Sequence, residues 1–150
     1  MTDIDALCHE LQTTWHEQIP LSKAMDLVLV SYVDNVMVTR ASLGPNVNVH
    51  GTAFAGSLYA AQALTGWGMV WMQLRLAQLD ASIVIASGNI DYAKPVHEDL
   101  VTTCNFGEHT AQMDTLAETG KARFELACEV TTADGAAAVF RGNYAVRLNR

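Results

Sequence analysis

The stretch from Asn46 to Leu79, NVNVHGTAFAGSLYAAQALTGWGMVWMQLRLAQL, most constrains how this chain can fold. Its first residues are typical of a turn, and the remainder is apolar apart from one charge, Arg75. This pattern predicts a buried helix over residues 52–79 that would be about 40 Å long. Gly66-Trp67-Gly68 is expected to kink a helix of that length. We therefore expect the other elements to be organised around this helix.

Segments rich in β-forming residues lie on both sides of the predicted helix. Before it come residues 24–33 and 36–43, which form a hairpin or one bulged strand, and after it come 82–92, 100–106, 121–132 and 137–148. Residues 82–92 begin apolar on both faces, which predicts a central strand. Asp134-Gly135 is a strong hairpin signal. The connector 109–120 fits either a short helix or a bulged link.

An amphipathic helix is predicted near the start of the chain, over residues 3–17. Ile4, Leu7, Leu11 and Trp15 share one helical stripe, and Ile19-Pro20 ends the pattern. No second crossover helix links the strands, which excludes a doubly wound parallel sheet. The expected fold is α+β, one domain over residues 1–150 with an antiparallel sheet wrapped around the long central helix.

Composition and charge limit the possible partners. The 150 residues include 9 Lys and Arg against 16 Asp and Glu, with no basic cluster, so a nucleic-acid-binding face is not expected. The opening MTDIDALCHE has acids where a secretion signal needs basic residues, and the three cysteines have no CxxC spacing, which favours a cytoplasmic protein with buried, reduced thiols. Residues 53–74 are uncharged and long enough to span a bilayer, but their glycines and polar residues favour a soluble core helix with no membrane contact.

The motif Asn48-x-x-Gly51-x-x-Phe54-Ala55-Gly56-x-Leu58 resembles the N-x-x-G-x-x-F-G-G-x-[IL] opening of the central helix in hotdog acyl-CoA thioesterases. The runs NVHGTAFAGSLYAAQALTGW and NIDYAKPV more closely resemble the thioesterase-like domain at the C-terminus of YiiD-type acetyltransferases. This resemblance covers residues 20–148. It implies a hotdog fold, and we expect the domain to stand alone without an acetyltransferase half.

The resemblance also implies an assembly and a substrate. The assembly is a homodimer, or a tetramer of two dimers, with a continuous sheet across the interface and the site between protomers. The substrate is an acyl thioester of coenzyme A or of a carrier protein. Coenzyme A or phosphopantetheine enters as part of the substrate, and no separate cofactor is expected.

The candidate site lies where the central helix begins, because unpaired amides and a partial positive charge there can stabilise the oxyanion of thioester hydrolysis. Gly51 and Thr52 are expected at that end. Asn48 orients water or the acyl carbonyl, or else forms an Asx-turn, and His50 is either a general base or structural. The candidate substrate-binding residues are Asn46, Phe54, Gly56, Ser57, Asp91 and Tyr92.

The sequence departs from the family pattern in one respect. Many hotdog thioesterases carry Asp or Glu on the central helix as nucleophile or base, but residues 52–79 contain neither, and Gln62 and Ala63 stand in the corresponding positions. Gln62 can bind or orient water but cannot accept a proton, so the catalytic base stays open. Trp67 and Trp71 belong to an apolar stripe that fits core packing, a dimer contact or a wall for the acyl chain.

Three functions therefore stay open, and they are ranked as follows. The first is an acyl thioester hydrolase, the second is a non-catalytic module that binds acyl thioesters, and the third is a 3-hydroxyacyl thioester dehydratase. A metal site is not expected, because His97-Glu98-Asp99 has no partners at ligand spacing and is typical of a solvated turn.

Overall fold

The computed structural model describes residues 3–149 and contains a six-stranded antiparallel sheet with a long helix packed against it. The strands are β1 Leu27–Val33, β2 Val36–Ala41, β3 Ala81–Tyr92, β4 Leu100–Asn105, β5 Lys121–Thr132 and β6 Gly135–Leu148. The helices are α1 Ile4–Gln18, α2 Pro20–Ala24, α3 Ala55–Leu76 and α4 Thr110–Thr119, with a short 3-10 turn at Gly44–Asn46. The strand order is β1-β2-β4-β5-β6-β3, which confirms the predicted α+β arrangement.

The central helix α3 is apolar around most of its circumference because it packs against β2, β3, β4, β5 and β6. Two of its glycines make this close approach possible. A Cβ on Gly66 would lie 2.1 Å from the hydroxyl of Tyr144, and a Cβ on Gly68 would lie 2.4 Å from the indole of Trp15. The helix is continuous through both glycines, so these residues make room for neighbours instead of forming the expected break.

Several predicted boundaries differ from the observed ones. Helix α3 begins at Ala55 and ends at Leu76, so it is shorter at both ends than the predicted 52–79. The connector that the sequence left open is α4, which Gly120 ends in the left-handed conformation. Helix α2 ends at Ala24, the first residue of the segment predicted as a strand, and β1 begins only at Leu27. At the start of the chain, the Asp3 carboxylate caps α1 by accepting a hydrogen bond from Ala6 N at 3.1 Å.

Strand β3 lies at an edge of the sheet, so the prediction of a central strand is wrong for the single chain. It pairs with β6 on one side, and among residues 3–149 no strand pairs with its other side. Val84 and Ile85 are 61% and 39% exposed. A β-bulge between Ile85 and Ser87 interrupts the register. A 12-residue edge with exposed aliphatic side chains is a surface that soluble proteins normally cover or blunt.

The cysteines follow the prediction in part. Cys104 and Cys128 are register partners on β4 and β5, and both are fully buried free thiols. The hydrogen bond with Cys104, together with burial, raises the pKa of Cys128. Cys8 is only half-buried, on the side of α1. Among the described residues no helix has both the length and the apolar character needed to cross a membrane.

Candidate active site

The loop before α3 is held in shape by the side chain of Asn48. Its Oδ1 accepts hydrogen bonds from His50 N at 2.8 Å and from Thr52 N at 3.2 Å, while its Nδ2 donates to Thr52 Oγ1 at 2.8 Å. Gly51 takes φ of +79° at the tip, a conformation that favours glycine. These contacts match the Asx-turn alternative for Asn48, because its amide bonds mainly within its own loop.

Asn48→Ala is therefore expected to loosen the loop without unfolding the protein. Four side-chain hydrogen bonds are lost, the three above and one from Nδ2 to Ala53 O at 3.4 Å. Each contributes about 1 kcal/mol, so amide hydrogen exchange of residues 50–53 should become at least about tenfold faster. Asn89→Ala, which alters an exposed position on β3, is the control and should leave exchange in this loop unchanged. Unaltered exchange in Asn48→Ala would contradict the role given to this side chain.

The first turn of α3 presents free amide groups. Phe54 is the N-cap residue and makes no side-chain capping bond, and its own amide donates to Asn46 O at 2.7 Å. Leu58 N donates to Phe54 O at 3.0 Å, while the amides of Ala55, Gly56 and Ser57 have no partner within residues 3–149. Unpaired amides at the positive end of a helix favour an anion or a developing oxyanion. Gly51 and Thr52, expected at this end, lie before it in the loop.

A cavity of about 270 Å³, here called the cleft, opens beside these amides. The residues that line it are Asn48, Thr52, Ala53, Ala55, Leu58, Tyr92, Ala93, Lys94, Pro95 and Val96. The hydroxyl of Tyr92 donates to Ala55 O at 2.8 Å and joins the end of β3 to the first turn of α3. Burial raises the pKa of Tyr92, so its hydroxyl keeps its proton at neutral pH. Lys94 Nζ donates to Asp134 O at the rim.

The structure brings together some of the residues predicted from sequence and separates others. Asn48, Thr52 and Tyr92 line the cleft, while Phe54, Gly56 and Ser57 lie at the adjoining helix end. The ring of Phe54 covers Gly56, where a Cβ would lie 2.4 Å from it. His50 and Gly51 form the exposed tip of the loop.

The remaining candidates are not at the cleft. Asn46 is buried, and its Nδ2 donates to Met25 O and Ser42 O at 2.8 Å. Gln62 is fully buried on α3, its Nε2 donates to Leu58 O, and its Oε1 has no partner among the described residues. Asp91 is exposed on β3, next to Tyr92 but on the other face of the sheet. None of these three side chains reaches the cleft of this chain.

The cleft can polarise a carbonyl group but holds no obvious proton acceptor. Its lining residues include no Asp, Glu or His. The ring of His50 lies on the exposed loop beside the cleft and has no hydrogen-bond partner among residues 3–149. An imidazole is the side chain that most readily exchanges a proton near neutral pH. His50, two residues from both Asn48 and Thr52 of the cleft wall, is thus a candidate base.

Sequence reasoning missed seven of the ten residues in the cleft wall, and it interprets Lys94-Pro95 only as the end of a strand. The residues not predicted for the site are Ala53, Ala55, Leu58, Ala93, Lys94, Pro95 and Val96. A backbone hydrogen bond from Ala53 N to Val96 O, 2.8 Å long, brings this segment beside the loop. The NIDYAKPV run was the available signal, because it belongs to the family resemblance and ends at this wall.

A second hollow, of about 710 Å³, is lined in part by His97, Glu98 and Asp99. Asp99 there serves structure: its Oδ1 accepts from Leu43 N at 2.9 Å, and its Oδ2 lies 3.6 Å from Arg40 Nε. Within residues 3–149 no group of three or more His, Cys, Asp or Glu side chains could hold a metal ion.

Comparison with known proteins gives a consistent result. A family model described as "Putative thioesterase (yiiD_Cterm)" matches residues 8–148. A crystal structure of a putative thioesterase from Shewanella oneidensis has a TM-score of 0.88 and 35% sequence identity, covering 95% of this chain and 98% of that chain. A protein of unknown function from Chlorobaculum tepidum has a TM-score of 0.92 and 27% identity, covering 97% and 96%.

A Pseudomonas aeruginosa protein named "Probable Thioesterase" has a TM-score of 0.80 over 94% of this chain and 95% of that chain. At 17% identity it bears on the fold alone. With these neighbours, the six-stranded sheet around α3 has the hotdog fold that the sequence motif predicted.

Proposed function

The chain belongs to the putative thioesterase family whose model spans residues 8–148, and on this premise we propose that it hydrolyses acyl thioesters in the cleft at the start of α3. The observation that carries the proposal is the set of free amides of Ala55, Gly56 and Ser57 beside a cleft of about 270 Å³. The substrate class is an acyl thioester of coenzyme A or a carrier protein. No cofactor takes part in the proposed reaction.

The chemistry follows from the helix end. Water adds to the thioester carbonyl carbon, the oxygen becomes an oxyanion, and collapse of this intermediate expels the thiolate, which takes up a proton. Each amide aimed at the oxyanion lowers the barrier by about 3 kcal/mol. Tyr92 supports this geometry because its hydroxyl holds the first turn through Ala55 O. His50 takes the proton of the attacking water in this proposal.

We propose that the protein acts as a homodimer, and one face of α3 supports this. Five of the part-buried residues of α3 follow one another at alternating spacings of three and four: Ser57, Ala60, Leu64, Trp67 and Trp71. This set, here called the open stripe, has the spacing by which one helix packs against another. Two indoles and a leucine left part-exposed on an otherwise enclosed helix favour a second copy of α3 as the partner.

The edge strand β3 supports the same dimer. The bulge in β3 shifts the alternation of its side chains, so Ile83 before it and Ile90 after it both turn to the helix side. If two copies of Ala81–Tyr92 pair antiparallel over their full length, Ile90 lies opposite Ile83 of the partner subunit, and inward residues face inward residues throughout. Opposed residues of an antiparallel pair must share a face, so this register suits the bulged strand.

A panel of acyl-CoA and acyl-carrier thioesters with a thiol-release readout tests the proposed function. Hydrolysis of at least one member well above the uncatalysed rate is the expected result. Tight binding without turnover would instead favour the non-catalytic binding module, which the lack of an acid in the cleft makes the second candidate. If no member of the panel is bound or hydrolysed, both the hydrolase and the binding-module proposals are overturned.

Gly56→Val should lower kcat/KM at least about tenfold, because its side chain would collide with the ring of Phe54 and block access to the amides. Ala77→Val, at the exposed opposite end of the same helix, is the matched control and should keep the wild-type rate.

His50→Ala should lower kcat at least about tenfold with the Kd of a non-hydrolysable thioether analogue unchanged. Wild-type kinetics in both Gly56→Val and His50→Ala would remove this site assignment.

A further inference from the structure

Helix α3 runs antiparallel to β3 along its inner side, and three contacts fix this course. Near the start of the helix, Tyr92 Oη donates to Ala55 O at 2.8 Å. One turn later, the hydroxyl of Tyr59 lies over Gly88, where a Cβ would be 2.4 Å from it. Further on, the indole Nε1 of Trp67 donates to Ile83 O at 3.4 Å. The position of Trp67 is therefore tied to Ile83, near the beginning of β3.

The proposed dimer brings Ile83 and Trp67 of one subunit close to the cleft of the other. In the full-length pairing of β3, Ile83 of the partner subunit lies opposite Ile90, about 5 Å away across the strands. Ile90 precedes Tyr92, which lines the cleft, by two residues, or about 7 Å along the strand. In this dimer, the indole of Trp67 of the partner subunit, which is hydrogen-bonded to Ile83 O of its own chain, therefore lies near the cleft. It faces the crevice between the two α3 helices, which continues from the cleft along the open stripe.

We infer that Trp67 of the partner subunit forms the end wall of the acyl-chain pocket and limits hydrolysis to short acyl chains; this inference rests on the proposed thioesterase dimer. The thioester carbonyl is held at Ala55, Gly56 and Ser57. The acyl tail then passes Leu58 and Tyr92 into the crevice between the two helices. There it meets the indole, and a longer tail has no further space.

The indole is suited to be a wall because it cannot easily turn aside. It is part-buried against its own core, and its ring N–H is held by the carbonyl of Ile83. The neighbours of Trp67 on the helix are Gly66 and Gly68, which bring α3 close to Tyr144 and Trp15, so the backbone that carries the indole is itself held firmly. Replacing the indole with a small side chain opens apolar space in line with the tail.

The test compares kcat/KM for acetyl-, butyryl-, hexanoyl-, octanoyl- and decanoyl-CoA in wild type, Trp67→Ala and Trp67→Leu. Each additional buried methylene adds about fourfold in affinity, so the octanoyl-to-butyryl ratio should rise at least about tenfold in Trp67→Ala and less in Trp67→Leu. Leu21→Ala, which shortens an exposed apolar side chain on α2 away from the open stripe, is the control and should keep the wild-type ratio. Trp67→Leu keeps the test open if the alanine variant does not fold.

Non-hydrolysable thioether analogues of the same chain lengths separate this inference from the proposed function. If the wild type binds them but no thioester is hydrolysed, the thioesterase proposal fails, and the dependence of Kd on chain length still reports on the wall. An unchanged length profile in both Trp67 variants, by kcat/KM and by Kd, overturns the inference. An equal shift in Leu21→Ala overturns it as well.

Mixed dimers test whether the wall comes from the partner. In a dimer of one wild-type subunit and one subunit carrying both Gly56→Val and Trp67→Ala, the wild-type subunit holds the working cleft. The inference predicts that this dimer has the broadened length profile, because its working cleft is closed by the altered subunit. A wild-type profile would show that each indole limits its own cleft, and would overturn the assignment to the partner.

Discussion

Leu64→Glu is expected to separate the proposed dimer and to lower thioester hydrolysis at least about tenfold at micromolar protein concentration. Leu64 lies in the middle of the open stripe, part-buried in the single chain. In the dimer, two introduced carboxylates would have to leave water without a cationic partner on the facing helix. Burying an unpaired charge costs several kcal/mol, which raises the dimer dissociation constant at least about a hundredfold.

The measurement is the mass in solution by light scattering or sedimentation, with kcat/KM measured on the same samples. Leu21→Glu is the matched control, because Leu21 is 58% exposed on α2, away from the open stripe, and should keep the wild-type mass and rate. A Leu64→Glu protein that stays dimeric at nanomolar concentration would contradict the helix-to-helix contact. A wild-type protein that is a monomer at every concentration would contradict the dimer itself.

Much of this fold could be predicted because its strongest signals are local. Strand β5 alternates between apolar and polar residues, and the burial of Phe124, Leu126, Cys128 and Val130 follows that alternation. Asp3 and Ile19-Pro20 mark the ends of α1, and both signals depend only on neighbouring residues. The long apolar run predicts α3 as a buried central helix, because a helix that is apolar on nearly all sides has to be covered by the rest of the protein.

The errors arise where the outcome depends on residues distant in sequence. Strand β3 was predicted to be central from its apolar start, but composition does not tell whether the second neighbour comes from the same chain or another. The start of α3 was placed at residue 52, whereas the bonds from Asn48 to Thr52 and from Phe54 N to Asn46 O hold those residues in the loop. The role of Gln62 at the site stays a prediction, and in the single chain its side chain is fully buried and does not line the cleft.

The same distinction applies to the candidate site. The family motif located the loop and the helix end, since both are encoded within a few residues of Asn48. It did not locate Lys94 and Val96, which reach the cleft through a backbone bond to Ala53. The motif does contain His50, the proposed proton acceptor, which lies on the exposed loop beside the cleft.

Gly66→Ala is expected to lower the free energy of unfolding by about 3 kcal/mol, the largest stability effect that a single methyl group should produce in this protein. The new Cβ would lie 2.1 Å from the hydroxyl of Tyr144 and 2.7 Å from the ring carbon that carries it. Tyr144 cannot move away freely, because it is fully buried and its hydroxyl donates to Ala63 O at 2.8 Å. The clash therefore has to be relieved by moving α3 away from β6.

Thermal and denaturant unfolding measure the effect, which corresponds to a fall in Tm of about 6–12 °C for a chain of this size. Gly44→Ala is the control, since a Cβ at Gly44 meets nothing within 4 Å, and its stability should change by less than about 0.5 kcal/mol. Tyr144→Phe removes the hydroxyl, so in the Gly66→Ala background it should restore at least about 1 kcal/mol relative to the sum of the two single changes. Strict additivity would mean that α3 and β6 do not meet at this pair, and that the helix does not lie as deeply in the sheet as the cleft at its N-terminal end requires.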